Sequence, residues 1–130
     1  MKPTNLKECL QELYKSIPQE MIEEIKSDKI KGASLHFNVG MCMRNDWGLW
    51  GKSDLKDWFN SIGIIHPDDM SAIILEAFIA DIKKEVFDLD AQVKFYQDYW
   101  KRMREEYKDN KSMFIEYKEG KWNEVKNEGE

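Results

Sequence analysis

Cysteine, proline and histidine are scarce in this chain. Its 130 residues hold two cysteines, three prolines and two histidines. Cys9 and Cys42 lie far apart, and neither has a second ligand at short spacing, so a structural zinc site is not expected. Each sits in an apolar helical pattern, which predicts reduced, buried thiols and, with them, a cytoplasmic location. No Pro/Gly/Ser-rich linker and no internal repeat divides the sequence, so residues 1–130 read as a single domain. No run approaches the roughly 20 apolar residues that span a bilayer. The opening stretch MKPTNLKECLQELYKS has no apolar h-region, so it does not read as a signal peptide.

Motifs for common chemistry are absent as well. There is no G-x-S-x-G elbow for a nucleophile, and no G-x-x-x-x-G-K-[ST] or G-x-G-x-x-G loop to cradle a phosphate. Excess positive charge is also lacking. The net charge is −5, whereas phosphate binding needs a basic field, so nucleic acid is not the expected partner. No cofactor and no metal are expected.

What remains is an ordinary globular composition, 42% hydrophobic and 35% charged, with an unusual five tryptophans. The pattern is helical nearly throughout. Thr4 or Asn5 can cap a first helix carrying Leu6, Cys9, Leu10 and Leu13 at i, i+3, i+4, i+7. Pro18 opens a short helix with Met21, Ile22 and Ile25. Residues 34–45 read as a helix with Leu35, Val39, Cys42 and Met43 on one face, and Gly40 marks close approach by another helix. Two glycines break the loop at 46–51. Ser53 caps a helix with Leu55, Trp58, Phe59 and Ile62, and Gly63 suits its C′ position.

The segment 67–85 predicts the centre of the fold. Pro67 suits the first helical position, and Asp68 and Asp69 suit the positive end of the helix dipole. Its polar side is only a narrow strip, Asp69, Ala72, Glu76, Ala80 and Lys83, so most of its circumference is expected to be buried. Asp81 projects on the apolar side; a buried carboxylate needs a partner, and Arg44 is the first candidate. From Asp88 or Asp90 a long helix runs to about residue 108. Its seam, Leu89, Val93, Tyr96, Trp100, Met103 and Tyr107, is flanked by Phe95 and Tyr99, with Lys94, Asp98, Lys101, Arg104 and Glu105 opposite. A small β-hairpin is expected over 112–126, turning near Gly120, followed by a disordered tail at 126–130. The expectation is thus mainly α: about six helices bundled around 67–85, with a core over 17–86.

Two constellations compete for function. His36, Arg44, His66, Asp68 and Asp69 contain the parts of an acid–base site. The competing reading makes them fold closure: His66 before Pro67 as a cap, the aspartates on the helix dipole, Arg44 as a structural partner. Asn45, Trp47, Trp50 and Trp58 join that structural set, the tryptophans plugging the core beside the loop. The second constellation is aromatic. Tyr99, Trp100, Tyr107 and Trp122 predict a surface for another protein, steered by acidic charge. This yields an expected function as an acidic protein-binding module, in the form of an inhibitor or immunity-type protein of bacterial or phage origin, acting by steric occlusion. The alternatives are a small enzyme using the His/Arg/Asp cluster, and a homodimer that pairs the 89–107 seam with its own copy.

One stretch carries a resemblance. LHFNVGMCMRNDWGLWG, followed by SDLKDWFNSIGIIHPDDMSAIIL, contains His36-Phe37, Gly40-Met41, Arg44-Asn45, Trp47, Leu49-Trp50, Phe59-Asn60, Gly63-Ile64 and the string His66 to Ser71. It resembles an uncharacterised bacterial domain family, domain of unknown function 6794, over roughly residues 17–82. Asn38 departs from that pattern, where a glycine or small residue is expected. The resemblance implies no activity. It implies a family core followed by a second half particular to this chain.

Overall fold

A computed structural model describes residues 2–30 and 32–110, with the side chains of 32, 33, 36, 37 and 107–110 excepted. Among the described residues the fold is all-α, with α1 Leu6–Ser16, α2 Gln19–Lys26, α3 Gly32–Asp46, α4 Asp54–Ser61, α5 Pro67–Lys83 and α6 Leu89–Asn110. The hairpin expected over 112–126 and the tail after it lie outside the described residues. Two compact units can be separated, Met1–Val93 and Lys94–Glu130.

In the first unit α1, α2 and α3 all pack on α5. The apolar α5 is enclosed further than its sequence suggests. Asp69, Ala72 and Ala80, expected on a polar strip, are buried; only Asp68, Glu76 and Asp81 of this helix are exposed. Ile73, Ile74, Leu75 and Phe78 are wholly inaccessible, alongside Cys9, Leu49, Leu55 and Phe59 from the surrounding elements. Burial pushes the Cys9 thiol well above its ordinary range, so it behaves as a small core hydrophobe.

Caps set the helix boundaries. The Asn5 side chain accepts from the Glu8 N–H at 3.0 Å, and the Glu8 carboxylate reaches back to the Thr4 N–H and hydroxyl, both at 2.8 Å. Those bonds to Thr4 lower the Glu8 pKa. Ser53 caps α4 by accepting from the Lys56 N–H at 3.1 Å, as its position predicts.

Four helices end on one device, a backbone N–H donating to the carbonyl five residues back across a left-handed residue. The bonds are Lys29 to Glu24 at 2.8 Å, Leu49 to Arg44 at 3.1 Å, Ile64 to Phe59 at 2.9 Å and Glu85 to Ala80 at 2.8 Å. The left-handed residues are Asp28, Gly48, Gly63 and Lys84, with φ of 61°, 71°, 93° and 57°. Only the glycines hold this conformation without a Cβ penalty. Lys84→Gly is therefore expected to stabilise the protein by up to about 1 kcal/mol, read as a higher urea midpoint with unchanged slope.

This device also corrects the placement of the tryptophans. The residue that follows the left-handed position commonly folds back onto its helix. At the end of α3 that residue is Leu49, which is fully buried, and Trp50 beyond it is 61% exposed. Trp47 and Trp58 are half-buried, the latter edge-on to Phe59 with ring centroids 4.9 Å apart. Trp50 does not plug the core.

Cys42 is exposed rather than buried. The side of α3 that meets α5 contains Gly40 and Arg44, and Cys42 falls outside it.

Candidate functional site

Arg44 is the residue around which the first constellation is built. It leaves the last turn of α3 and crosses to the first turns of α5. Its Nη1 donates to Ser71 Oγ at 2.7 Å, and its Nε lies 3.4 Å from Asp68 Oδ1. Ser71, buried completely, donates its own hydroxyl hydrogen bond to the Asp68 carbonyl at 3.0 Å. The Arg44 side chain is only 14% exposed, whereas that of Asp68 is 76% exposed. The serine bond is therefore the stronger part of the contact, because an exposed carboxylate contributes little through charge alone.

Gly40 is what lets Arg44 lie there. A Cβ at position 40 would stand 3.0 Å from Arg44 Nη1, 3.6 Å from Leu75 Cδ1 and 3.7 Å from Ser71 Oγ. The close approach expected from this glycine is thus an approach to α5, with the guanidinium filling the space. Gly40→Ala should gain helix propensity of about 1 kcal/mol but displace Arg44 from Ser71. The expected net effect is a loss of about 1 kcal/mol, reversing to a gain when combined with Arg44→Ala. Urea unfolding of the two variants reads the change of sign.

The pairing of Asp81 with Arg44 does not occur. Asp81 lies ten residues beyond Ser71 along α5, about 15 Å of helix, which takes it out of reach. It is exposed in the last turn and accepts from the Tyr14 hydroxyl at 2.5 Å. Tyr14 in turn sets its ring edge against Phe78, centroids 4.9 Å apart. Burial of the ring, and then the carboxylate, push the Tyr14 pKa up to about 12. A second tie holds the same end of α5: Lys83 bonds Asp28, the residue that closes α2, and this raises the lysine pKa.

Of the remaining members of the cluster, His66 is exposed and is the N-cap residue of α5, with no side-chain bond to the helix end. Asp69 is buried in the first turn. The side chain of His36 lies outside the described residues. The structure therefore joins Arg44 to Asp68 and Ser71, and places His66 and Asp69 next to them along the chain. No group of three or more His, Cys, Asp or Glu residues suited to a metal occurs among the described residues. Asn45 is exposed.

Sequence reading missed Ser71 because a serine inside an apolar helix gives no signal of its own. The signal present was Gly40 at i−4 from Arg44, which leaves room for a guanidinium on that face.

The second constellation lies on α6. Asp88 caps it, accepting from the Ala91 N–H at 3.1 Å. The expected seam residues Leu89, Val93, Tyr96, Trp100 and Met103 are all half-buried, and Lys94, Asp98, Lys101, Arg104 and Glu105 are all exposed. Two flanking aromatics face solvent, Phe95 at 59% and Tyr99 at 38% exposure. Each meets a seam ring edge-on: Phe95 with Tyr96 at 5.2 Å, and Tyr99 with Trp100 at 5.1 Å. The side chains of Tyr107 and Trp122 lie outside the described residues.

These features define an all-α domain closed by an Arg–Ser clamp, with an aromatic helix after it. The chain belongs to the family described as Domain of unknown function (DUF6794), which matches residues 2–81. The match begins earlier than the motif string, so α1 with its Asn5 cap is part of the family core. No curated protein and no solved structure matches the chain. Among the described residues, no helix is long and apolar enough to cross a membrane.

Proposed function

We propose that this protein is an acidic, cytoplasmic protein-binding module that uses α6 as its contact element. Its most concrete form is an inhibitor or immunity-type protein, of bacterial or phage origin, acting by steric occlusion. The observation that carries the reading is the exposure of Phe95 and Tyr99 on α6. Large aromatics standing in solvent, braced by edge contacts to half-buried rings, are the residues that anchor interfaces. Tyr99 and Trp100 form the described part of the surface, and Tyr107 and Trp122 complete it in the proposal. The net charge of −5 would steer a basic target and speed encounter. Cys42 exposed and Cys9 buried, not paired with each other, suit a reducing compartment.

A photo-crosslinking residue placed at position 99 of the full chain, in the native host, tests this. The expected result is one stoichiometric adduct with a second protein, lost when Trp100→Ala is added while the far-ultraviolet spectrum stays helical. An adduct pattern unchanged by that substitution, or none above background, would overturn the reading.

A further inference from the structure

We propose that the exposed face of α6 seats a second copy of this chain, with the two α6 helices antiparallel. This goes beyond the reading above and rests on it only in taking α6 as the contact element; the occupant here is a second copy rather than the target. Phe95, Tyr99, Arg102 and Glu106 lie within about 60° of arc on the helix. All four are exposed. An open groove runs along this side, lined by Phe95, Asp98, Lys101, Arg102 and Glu105. The face is too polar for a buried core and too aromatic for a solvent strip.

Charge and ring chemistry along it are self-complementary when the direction is reversed. Place a two-fold axis across the helix between Asp98 and Tyr99. Phe95 and Arg102 are equidistant from it, so each Phe95 ring meets the guanidinium of Arg102 on the second copy, a cation–π pair made twice. The same guanidinium comes within one turn of Asp98, giving a charge pair, also made twice. Asp98 is held by Lys94 on its own helix at 3.2 Å, which pre-sets the carboxylate at the edge of the face. The two Tyr99 rings flank the axis, one on each side. A parallel pairing loses all of this, because it sets Phe95 beside Phe95 and Arg102 beside Arg102.

Sedimentation of the full chain over a wide concentration range tests the pairing. The expected result is a concentration-dependent rise from monomer to dimer mass. Arg102→Asp should weaken association about tenfold by losing both charge pairs and adding repulsion at Asp98. The exchanged variant Asp98→Arg/Arg102→Asp should recover part of it, because the charge pairs are restored with their signs reversed while the cation–π pairs are not. A chain that is monomeric at every concentration, or a dimer indifferent to Arg102→Asp, would overturn the proposal. If the monomeric chain still forms the crosslinked adduct at position 99, only the self-pairing fails. If the adduct is absent too, the binding-module reading fails with it.

Discussion

Phe78→Ala is expected to lower the unfolding free energy by about 3–5 kcal/mol, the range for deleting a buried phenylalanine side chain. Phe78 is wholly inaccessible, sits in the middle of the helix on which α1, α2 and α3 pack, and supports the edge of Tyr14. Domains of this size are stable by roughly 5–15 kcal/mol, so the loss takes much of the total. The cavity term depends on how far the site can collapse, and helices packed around one another leave little room for that. Trp50→Ala should behave in the opposite way. A larger side chain is removed, but from a position that is 61% exposed, and the change is expected to stay within about 0.5 kcal/mol. Urea unfolding of both variants, read by circular dichroism, checks the contrast. A Trp50 effect as large as that of Phe78 would contradict the placement of Leu49, rather than Trp50, at the inward position.

The second large effect is expected at the clamp between α3 and α5. Arg44→Met should cost about 1.5–3 kcal/mol, the range for a hydrogen bond to a charged group, with nearly all of it arising at Ser71. Ser71→Ala should cost a similar amount, because it strands a largely buried guanidinium. Together they should cost less than the sum, since Arg44 Nη1 and Ser71 Oγ share one bond at 2.7 Å. Asp68→Asn is expected to change little, its carboxylate being 76% exposed. A double-mutant cycle measures the coupling directly. Full additivity of Arg44→Met and Ser71→Ala would show that the bond does not hold the two helices together.

The parts of this fold that were legible in the sequence are those where one residue decides one conformation. Asn5 and Ser53 act as caps because their side chains reach a backbone N–H three residues on. Pro67 opens α5, and Gly63 closes α4 in a left-handed conformation. The half-buried seam of α6 follows its spacing from Leu89 to Met103. Asp28 and Lys84 close helices in the same way as Gly63, yet nothing in their identity announces it. There the path of the chain imposes a left-handed residue, and tertiary ties such as Lys83 to Asp28 hold it.

Side-chain pairing across elements was less legible. Asp81 read as buried because a helical wheel has no ends. In the folded chain it lies in the last turn, where Tyr14 can reach it. Hydrophobicity alone places Trp50 in the core, but in the loop the bond from the Leu49 N–H to the Arg44 carbonyl turns Leu49 inward instead. Arg44 reads as structural from the sequence, but its partner does not, because Ser71 becomes informative only where Gly40 and α5 touch. Within the cluster, Arg44 and Asp68 meet with Ser71 in a contact between α3 and α5, while two of the exposed aromatics, Phe95 and Tyr99, stand on α6.

The central claim is that the Arg44 cluster maintains the fold while α6 makes the contact. One paired measurement tests it most directly: thermal unfolding, together with crosslinked adduct per mole of folded protein, for Arg44→Met and for Trp100→Ala. The account predicts that Arg44→Met lowers the melting temperature by several degrees and leaves the adduct yield unchanged. It predicts that Trp100→Ala shifts melting far less and abolishes the adduct. The reverse pattern, with binding lost at Arg44 in a protein of unchanged stability, would contradict it.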